Sequence, residues 1–447
     1  MIYSGKNAVV LGLGHSGEAA AVLLQEEGAS VTVCESLDNP ALREKAAALA
    51  SRGVNVLLGG AADNDPADYD IAVISPGIDP AVPLVRNVAA KGIPIIGELE
   101  LAFEECSCPV VAITGTNGKT TTTELTTALL QGCGVRTMAS GNIGLPFATA
   151  VRSSHELDVM VLEVSSFQLE TIRSFRPHVA AWLNLSPNHL DRYAGMQDYR
   201  DAKLRIFENL TPEDFVVANA LSELPPLPAR KITFSAVGAD ADFTLRGMEI
   251  CFRGSPVLDQ AATRLRGIHN AENLMAAMAI AHALDVDFER MAGAVAGYAA
   301  PAHRCEFVRE LDGVLWINDS KATNLDAMEK AMRSQDRPII LLAGGKDKGF
   351  EFDGIAPLVR EKVRAAVLIG EMKDRIAKSW SGVDCAPAGS LEEAVDLARR
   401  TARPGDVVLF SPGTSSFDMF RNYGERGNLF KSHVQKLTPT TEKQTHP

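Results

Sequence analysis

Residues 110–125 read VVAITGTNGKTTTTEL and join three features in one short segment. Val110–Thr114 is an apolar and β-branched run that predicts a buried strand, and helical spacing from about residue 119 to 131 predicts a helix ended by Gly132. A loop with two glycines, Gly115 and Gly118, lies between them. Strand, glycine-rich loop and helix in this order are typical of a parallel α/β sheet. We therefore predict an α/β fold from this segment.

The loop at 113–120, ITGTNGKT, differs from the usual phosphate-binding sequence Gly-x-x-x-x-Gly-Lys-Ser/Thr at its first position. Ile113 replaces the first glycine, and Gly115 supplies flexibility two residues later. Backbone N–H groups and the helix N-terminus would hold phosphates, Lys119 would neutralise them, and Thr120 could ligate magnesium. We predict a triphosphate site, and a ligand-free turn is the alternative. The predicted site comprises Gly115, Thr116, Asn117, Gly118, Lys119, Thr120 and Thr121.

The same alternation of strands and helices runs through the whole chain and predicts three α/β domains. Buried-strand runs include NAVVL at 7–11, DVMVLE at 158–163 and DVVLFSPG at 406–413. We expect a Rossmann-like domain at the N-terminus, a central P-loop domain with a mainly parallel sheet, and a Rossmann-like domain at the C-terminus. Their predicted limits are residues 1–99, 100–301 and 302–447.

The composition limits the possible partners and compartment. At 447 residues the chain is too long for one core, and its net charge of −12 argues against general affinity for nucleic acid or an anionic membrane surface. The start, MIYSGKNAVVLGLG, looks like a buried strand and not a secretion signal, and no apolar run reaches the length of a membrane helix. The seven cysteines are scattered, and Cys106 and Cys108 are too close for the familiar zinc spacings. We expect reduced thiols and a cytoplasmic protein.

A second glycine-rich loop, GLGHSG at 12–17, follows the first predicted strand and matches Gly-x-Gly-x-x-Gly. Such glycines allow a tight turn and the close approach of a phosphate to a helix N-terminus. Glu35 ends the next predicted strand, where a carboxylate would meet a ribose hydroxyl. The motif alone predicts NAD, and a tight turn without a ligand is the alternative.

Several polar residues of the second predicted domain have two interpretations each. Glu163 ends a predicted strand, where it could reach magnesium or remain an exposed carboxylate. From the residues alone, His189 in a loop is interpreted as structural and Lys203 on an amphipathic helix as solvated. Asn270 and Asn273 begin a helix, where capping is favoured over nucleotide contact.

The third predicted domain carries motifs after strands or in a linker, where α/β sheets bind ligands. These motifs are HR at 303–304, NDSKATN at 318–324, GGKDKG at 344–349 and SPGTSSFDMFRNYGERG at 411–427. Their basic residues suit phosphates or a carboxylate substrate, and each could equally be a surface charge. These residues are Arg304, Lys321, Lys346 and Lys348.

Taken together, these motifs resemble the Mur ligase family of peptidoglycan synthesis. The resemblance covers nearly the whole chain, and TGTNGKTT at 114–121 is shared with ATP-dependent Mur and folylpolyglutamate ligases. EVSSFQLE at 163–170, DSKATN at 319–324 and SPGTSSFD at 411–418 favour the branch that uses D-glutamate. The resemblance implies that ATP phosphorylates the L-alanine carboxylate of UDP-N-acetylmuramoyl-L-alanine. The amine of D-glutamate would then attack the acyl phosphate to form an amide.

The resemblance also implies roles for individual residues. Lys119 would serve the ATP phosphates, and CO₂ would convert Lys203 to a carbamate that ligates a second magnesium. The implied metal ligands are Thr120, Glu163, His189 and Lys203. Implied ATP contacts beyond the loop are Asn270, Asn273, Arg304, Asp319 and Lys321. The uridine diphosphate substrate, in place of NAD, would meet Gly14, His15, Ser16, Glu35, Ser36, Ser75 and Asn142. D-Glutamate would meet Lys348, Ser416 and Tyr423, where family members often have Phe.

Three other functions remain open at this point. A sibling ligase could add a different amino acid or extend folate, although a folate enzyme should lack residues 1–97. An NAD-dependent oxidoreductase built on GLGHSG would leave TGTNGKTT unexplained. A P-loop switch protein would hydrolyse nucleotide without an acceptor. We expect a monomer that binds no nucleic acid and does not insert into a membrane.

Overall fold

The computed structural model describes residues 2–63, 68–186, 192–238, 240–265, 267–296, 298, 302–335 and 337–439. The chain forms two compact units, Met1–Tyr298 with two sheets and Ala299–Pro447 with one. All three sheets are mainly parallel and alternate with helices, so the predicted α/β class is confirmed. The predicted domain limits stay predictions. Within the described ranges, no helix is long and apolar enough to cross a membrane.

The first sheet has five parallel strands in the order β3-β2-β1-β4-β5. Its strands are β1 (Asn7–Leu11), β2 (Ser30–Glu35), β3 (Asn55–Leu58), β4 (Ile71–Ile74) and β5 (Ile95–Gly97). Its helices are α1 (His15–Glu26), α2 (Pro40–Ala50), α3 (Gly60–Asp63), α4 (Pro83–Ala90) and α5 (Glu98–Glu104). β1 lies between β2 and β4, so the loop that follows β1 is at the point where the strand order reverses.

The second sheet has nine strands in the order β14-β13-β12-β11-β10-β9-β6-β8-β7. Its strands are β6 (Val110–Thr114), β7 (Thr137–Gly141), β8 (Val159–Glu163), β9 (Val179–Trp182), β10 (Phe215–Asn219), β11 (Arg230–Ser235), β12 (Phe243–Arg246), β13 (Glu249–Phe252) and β14 (Ser255–Asp259). Its helices are α6 (Lys119–Gly132), α7 (Phe147–Ala150), α8 (Ser166–Leu169), α9 (Met196–Leu204), α10 (Ile268–Ala283) and α11 (Phe288–Ala296). The pairs β12–β13 and β13–β14 are antiparallel, and the sequence did not predict β10 to β14.

The third sheet has six strands in the order β15-β16-β20-β17-β18-β19, and only β15 runs antiparallel to its neighbour. Its strands are β15 (Glu306–Leu311), β16 (Val314–Asn318), β17 (Ile339–Gly344), β18 (Val363–Ile369), β19 (Asp384–Pro387) and β20 (Val407–Phe410). Its helices are α12 (Leu325–Arg333), α13 (Ala356–Lys362), α14 (Lys373–Ser379), α15 (Leu391–Thr401) and α16 (Tyr423–Lys436).

Burial explains why the central strands are apolar throughout. Every residue of β6, β8 and β9 is buried, because a parallel sheet has helices on both faces. α6 begins at Lys119 as predicted but continues through Gly132. The helix therefore ends one residue later than predicted, and Gly134, in place of Gly132, takes the left-handed conformation after it, with φ of 77°.

Candidate active site

The loop between β6 and α6 lies at the carboxyl edge of the second sheet, beside the ends of three other strands. β8 ends at Glu163, β7 ends just before Asn142, and β9 ends shortly before Asn184. These strands are neighbours in the order β9-β6-β8-β7. Parallel strands present their carboxyl ends at one edge, so the fold brings residues distant in sequence around the predicted triphosphate loop.

Gly118 sets the shape of this loop where α6 begins. It has φ of 81°, and a Cβ at this position would lie 2.6 Å from Asn273 Oδ1. The backbone conformation and the lack of space therefore both require glycine. Gly115 also has little room for a side chain, because a Cβ there would lie 3.0 Å from the Cβ of Leu183, the residue after β9.

Glu163 links two of the other candidates. Thr120 Oγ1 donates a hydrogen bond to Glu163 Oε2, and Asn142 Nδ2 donates one to Glu163 Oε1, both at 2.7 Å. Glu163 is buried, so the interpretation as an exposed carboxylate is wrong. Hydroxyl and carboxylate oxygens are ligands that magnesium prefers. Among the residues that the structure describes, no three His, Cys, Asp or Glu side chains cluster as a metal site.

Two lysines reach the same carbonyl of the loop. Lys119 Nζ donates to Gly115 O at 3.0 Å and to Thr116 O at 2.9 Å, while Lys203 Nζ donates to Gly115 O at 3.0 Å. Lys203 is only 2% exposed, so the interpretation as a solvated lysine is wrong. Burial, and then the charge of Lys119, lower the pKa of Lys203 well below its ordinary value, against the opposing effect of Glu163.

Asn184 and Ser186 hold the loop from the end of β9, and the sequence did not single them out. Asn184 Oδ1 accepts from the backbone N–H of Thr116 at 3.2 Å and of Asn117 at 2.8 Å, and Asn184 Nδ2 donates to Asn117 O at 3.1 Å. The N–H of Ser186 donates to Thr116 Oγ1 at 3.0 Å. The one available signal was their place in NLSPNH at 184–189, at the carboxyl end of an apolar run.

Asn270 and Asn273 lie inside α10, which begins at Ile268 after an N-cap, Gly267, that makes no side-chain capping bond. The capping interpretation is therefore wrong. Asn273 Oδ1 accepts from Thr122 Oγ1 at 3.1 Å, and its Nδ2 lies 3.5 Å from Asn270 Oδ1. This pair thus faces the first turn of α6.

At the carboxyl edge of the first sheet, the predicted residues also lie together. The loop after β1 is tight, since a Cβ at Gly17 would lie 2.0 Å from Gly12 O. Glu35 accepts from the N–H groups of Leu13 at 2.9 Å and Leu37 at 3.0 Å, so it supports this loop. The predicted residues at the ends of β1, β2 and β4 are Gly14, His15, Ser16, Glu35, Ser36 and Ser75. Asn142 follows β7 of the second sheet.

In the third sheet, the predicted binding residues follow the adjacent strands β16, β20 and β17. Burial raises the pKa of the Asp319 carboxyl to about 6, against hydrogen bonds from the Ser411 hydroxyl at 2.7 Å and the Cys305 N–H at 3.0 Å. Arg426, which the sequence did not single out, is fully buried and donates to Ser320 O at 2.9 Å and Thr414 O at 3.2 Å. It therefore ties two of the predicted motifs together.

The remaining candidates of this unit differ in exposure and contacts. Lys348 Nζ lies 3.4 Å from Thr323 O, Ser416 is buried, and Tyr423 is 41% exposed at the start of α16. The Lys321 N–H donates a hydrogen bond to His303 O at 2.9 Å. This bond brings the backbone of Lys321 next to that of Arg304, which follows His303. All of these residues lie in the unit Ala299–Pro447.

Comparisons with known proteins assign most of the chain to domains of one family. Residues 6–97 match the Mur ligase MurD-like N-terminal domain, residues 113–281 the Mur ligase middle domain, and residues 303–413 the Mur ligase glutamate ligase domain. A relative from Geobacter metallireducens, named UDP-N-acetylmuramoylalanine–D-glutamate ligase, is 44% identical over 98% of this chain and 99% of its own. The chain belongs to the Mur ligase family. A relative of the same name from Geotalea uraniireducens is 43% identical over 97% of this chain and 98% of its own.

Membership of the Mur ligase family confirms the resemblance drawn from the motifs. The fold also matches a solved murein peptide ligase from Psychrobacter arcticus, with a TM-score of 0.51 and 16% identity over 98% of this chain and 100% of that one. The predicted roles of individual residues stay predictions. His189 lies outside the described residues.

Proposed function

We propose that this Mur ligase uses ATP to join D-glutamate to UDP-N-acetylmuramoyl-L-alanine through an acyl phosphate, in peptidoglycan precursor synthesis. The observation that carries the proposal is the convergence of Lys119, Thr120, Glu163 and Lys203 on one glycine-rich loop. The names of two full-length relatives, both D-glutamate ligases, support the choice of D-glutamate. We further propose that the enzyme acts in the cytoplasm as a monomer.

The loop residues would bind and orient the ATP phosphates. The N-terminus of α6 directs backbone N–H groups and the positive end of the helix dipole towards the loop. Lys119 Nζ now donates to two backbone carbonyls and would exchange them for phosphate oxygens, which accept stronger, charge-assisted hydrogen bonds. Asn184 would keep the loop in shape during this exchange, because it holds the backbone of Thr116 and Asn117.

Thr120 and Glu163 fit a magnesium ion. Their side-chain oxygens lie 2.7 Å apart, and both are hard oxygen donors. Asn142 would keep the Glu163 carboxylate oriented through the hydrogen bond to Oε1. A bound magnesium ion would supply neutralisation of charge on the phosphates.

Lys203 has the chemistry that carbamate formation needs. CO₂ reacts with a neutral amine: the nitrogen lone pair forms the N–C bond, one C=O π pair of CO₂ moves to oxygen, and one N–H proton leaves to solvent, which gives an anionic carbamate. Burial and the charge of Lys119 lower the pKa of Lys203 and so favour its neutral amine. A carbamate here would be a second anionic magnesium ligand, as the family resemblance implies.

The edges of the other two sheets would bind the remaining parts of the substrates. The loop after β1, supported by Glu35, would hold the uridine diphosphate at the N-terminus of α1. In the unit Ala299–Pro447, Lys348, Ser416 and Tyr423 would receive D-glutamate. Arg304, Asp319 and Lys321 would contact ATP, with Asn270 and Asn273 on α10.

The test is release of phosphate from ATP in the presence of UDP-N-acetylmuramoyl-L-alanine. D-Glutamate, L-glutamate, L-lysine and meso-diaminopimelate are offered in parallel, with one arm that contains no amine. The proposal predicts release with D-glutamate only, and its loss in Lys119→Met. The matched control is Lys231→Met, because Lys231 is an exposed lysine on β11.

Each of the other outcomes contradicts a defined part of the proposal. Release with another amine would keep the acyl phosphate mechanism but move the chain to a sibling activity. Equal ATP consumption without any amine would refute the ligase and support a P-loop switch.

A further inference from the structure

Two cysteine sulfurs lie close together in the segment between α5 and β6. Cys106 Sγ and Cys108 Sγ are 4.0 Å apart, and Cys106 Sγ also lies 3.4 Å from Cys108 O. Both residues are partly exposed, and all seven cysteines of the chain are free thiols. A disulfide needs its two sulfurs about 2 Å apart, so rotation of these side chains could close the gap between sulfurs already in contact.

The surroundings favour the thiolate on Cys106. Hydrogen bonds from the Cys108 thiol, its backbone and the Ser154 hydroxyl lower the pKa of Cys106 to about 7, against the effect of burial. Ser154 is 2% exposed and is itself fixed, because the Ser107 N–H donates to Ser154 Oγ at 3.1 Å. The same contact with Cys106 raises the pKa of Cys108. Either sulfur can donate in the contact between them, and the Ser154 hydroxyl beside Cys106 favours Cys106 as the attacking thiolate.

Other cysteines lack this combination. Cys34, Cys133 and Cys251 are buried, and burial raises the pKa of Cys133. Cys305 is exposed as a residue, but burial of its thiol and the Asp319 carboxylate raise its pKa well above the ordinary value. Cys385 is partly exposed, like the pair, but burial and Asp384 raise its pKa. Cys385 therefore serves as an internal comparison.

We propose that Cys106 and Cys108 form a redox-sensitive dithiol that low-molecular-weight disulfides convert to an intramolecular disulfide. The Cys106 thiolate attacks one sulfur of the small disulfide, the small S–S bond breaks, and one small thiolate leaves. Cys108 then loses its proton to solvent and attacks Cys106 Sγ, which expels the second small thiolate. Two electrons pass from the protein dithiol to the small disulfide, which leaves as two thiols.

The position of the pair determines how the disulfide would behave. The ring closed by a Cys-x-Cys disulfide contains a single intervening residue, Ser107, so the bond is strained and readily reduced. Such a bond would form transiently in a reducing compartment, as redox-sensing disulfides do. It lies directly before β6, the strand that leads into the triphosphate loop.

The test uses the full-length reduced protein and oxidised glutathione as the probe near neutral pH. After free thiols are alkylated, mass spectrometry follows the tryptic peptide 92–119, which contains Cys106 and Cys108 and no other cysteine. We expect this peptide to lose two hydrogen atoms, and dithiothreitol to restore them. Cys385 should remain a free thiol. A stable glutathione adduct on the unaltered chain, or no change in this peptide, would refute the proposal.

Single-cysteine variants assign the two roles. In Cys108→Ser the glutathione adduct should persist on Cys106, because the resolving thiol is absent. In Cys106→Ser the reaction of Cys108 should slow by at least tenfold, while Cys385→Ser should behave as the unaltered protein. Equal rates for the two pair variants would contradict the assignment of Cys106. Phenylarsine oxide, which binds two thiols at once, should protect the pair in the folded protein, and failure to do so would contradict the proximity.

Discussion

The buried side chain of Glu100 hydrogen-bonds a segment of the second sheet's part of the chain, and its replacement gives a testable prediction about stability. Glu100 lies in α5, which follows the last strand of the first sheet, and its side chain is fully buried. Its carboxylate accepts from three successive backbone N–H groups, those of Arg173 at 2.8 Å, Ser174 at 2.6 Å and Phe175 at 3.0 Å. It also accepts from the Ser174 hydroxyl at 2.6 Å. Glu100→Gln keeps the size of this side chain and removes one acceptor oxygen.

The expected cost follows from how the bonds are shared. Oε1 accepts both bonds from Ser174, and Oε2 accepts those from Arg173 and Phe175. If the amide nitrogen replaces Oε2, the Arg173 and Phe175 N–H groups lose their acceptor. If it replaces Oε1, the Ser174 N–H loses its acceptor, while the Ser174 hydroxyl can turn and accept from the amide. Hydrogen bonds to a charged group contribute about 1.5–3 kcal/mol each, so the loss is at least about 1.5–3 kcal/mol. Because a domain is stable by only about 5–15 kcal/mol, Glu100→Gln should unfold at clearly lower temperature and urea concentration.

The assay is urea denaturation followed by circular dichroism, with thermal melting as a second probe. The control is Glu213→Gln, because Glu213 is an exposed glutamate in a turn of the same unit. The reasoning is refuted if Glu100→Gln and Glu213→Gln have the same free energy of unfolding. A large loss in both variants would also refute it, since the effect would then not depend on the buried contacts.

Three further predictions address pH, backbone shape and the buried lysine. Burial raises the pKa of Glu98 from 4.5 to about 7, so its stabilising contribution is complete below 4.5 and is lost as pH rises to about 7. Each unit of pKa shift corresponds to about 1.4 kcal/mol, so Glu98→Gln should remove about 3 kcal/mol of the change in unfolding free energy between about pH 5 and 8, measured in urea. If the unfolding free energy of Glu98→Gln depends on pH as that of the unaltered protein does, this prediction is wrong. Gly118→Ala should cost about 1–2 kcal/mol of backbone strain and displace Asn273, so ATP turnover should fall at least tenfold. Gly53→Ala, with φ of 85° and no neighbour within 4 Å, should leave turnover unchanged, and equal loss in both would contradict the role of Asn273. Lys203→Ala should lose turnover and regain part of it with a short carboxylate; no regain, or no loss, would count against a carbamate.

The sequence predicted the loop, its flanking strand and its helix because those signals are local. The glycine positions, Lys119 and Thr120 all lie within one strand–loop–helix unit, where spacing alone fixes their relation. Asn184 was missed because its bonds to Thr116 and Asn117 join positions 67 and more residues apart. No periodicity within one segment contains that information.

Burial was the other property that spacing could not predict. GELELAF at 97–103 has acidic residues in a first helical turn, a pattern typical of solvated charges near a helix N-terminus. Yet Glu98 is 1% exposed and Glu100 is fully buried, because α5 packs against α1 and β5 as well as against α7 and α8. Lys203 was misjudged for the same reason, since an amphipathic pattern does not show which polar residue points inward.

The charges around Gly115 connect the fold to the proposed chemistry. Lys119 and Lys203 both donate to the Gly115 carbonyl, and two ammonium groups on one oxygen would repel each other in a site with little water. Burial, and then the charge of Lys119, lower the pKa of Lys203, which is 2% exposed, and so favour its neutral form. A neutral Lys203 amine does not repel the Lys119 ammonium group. Conversion of Lys203 to an anionic carbamate would turn the repulsion between the two side chains into attraction. The packing that lowers the pKa of Lys203 therefore favours the neutral amine from which a carbamate would form, and the charge of Lys119 would offset the cost of burying that anion.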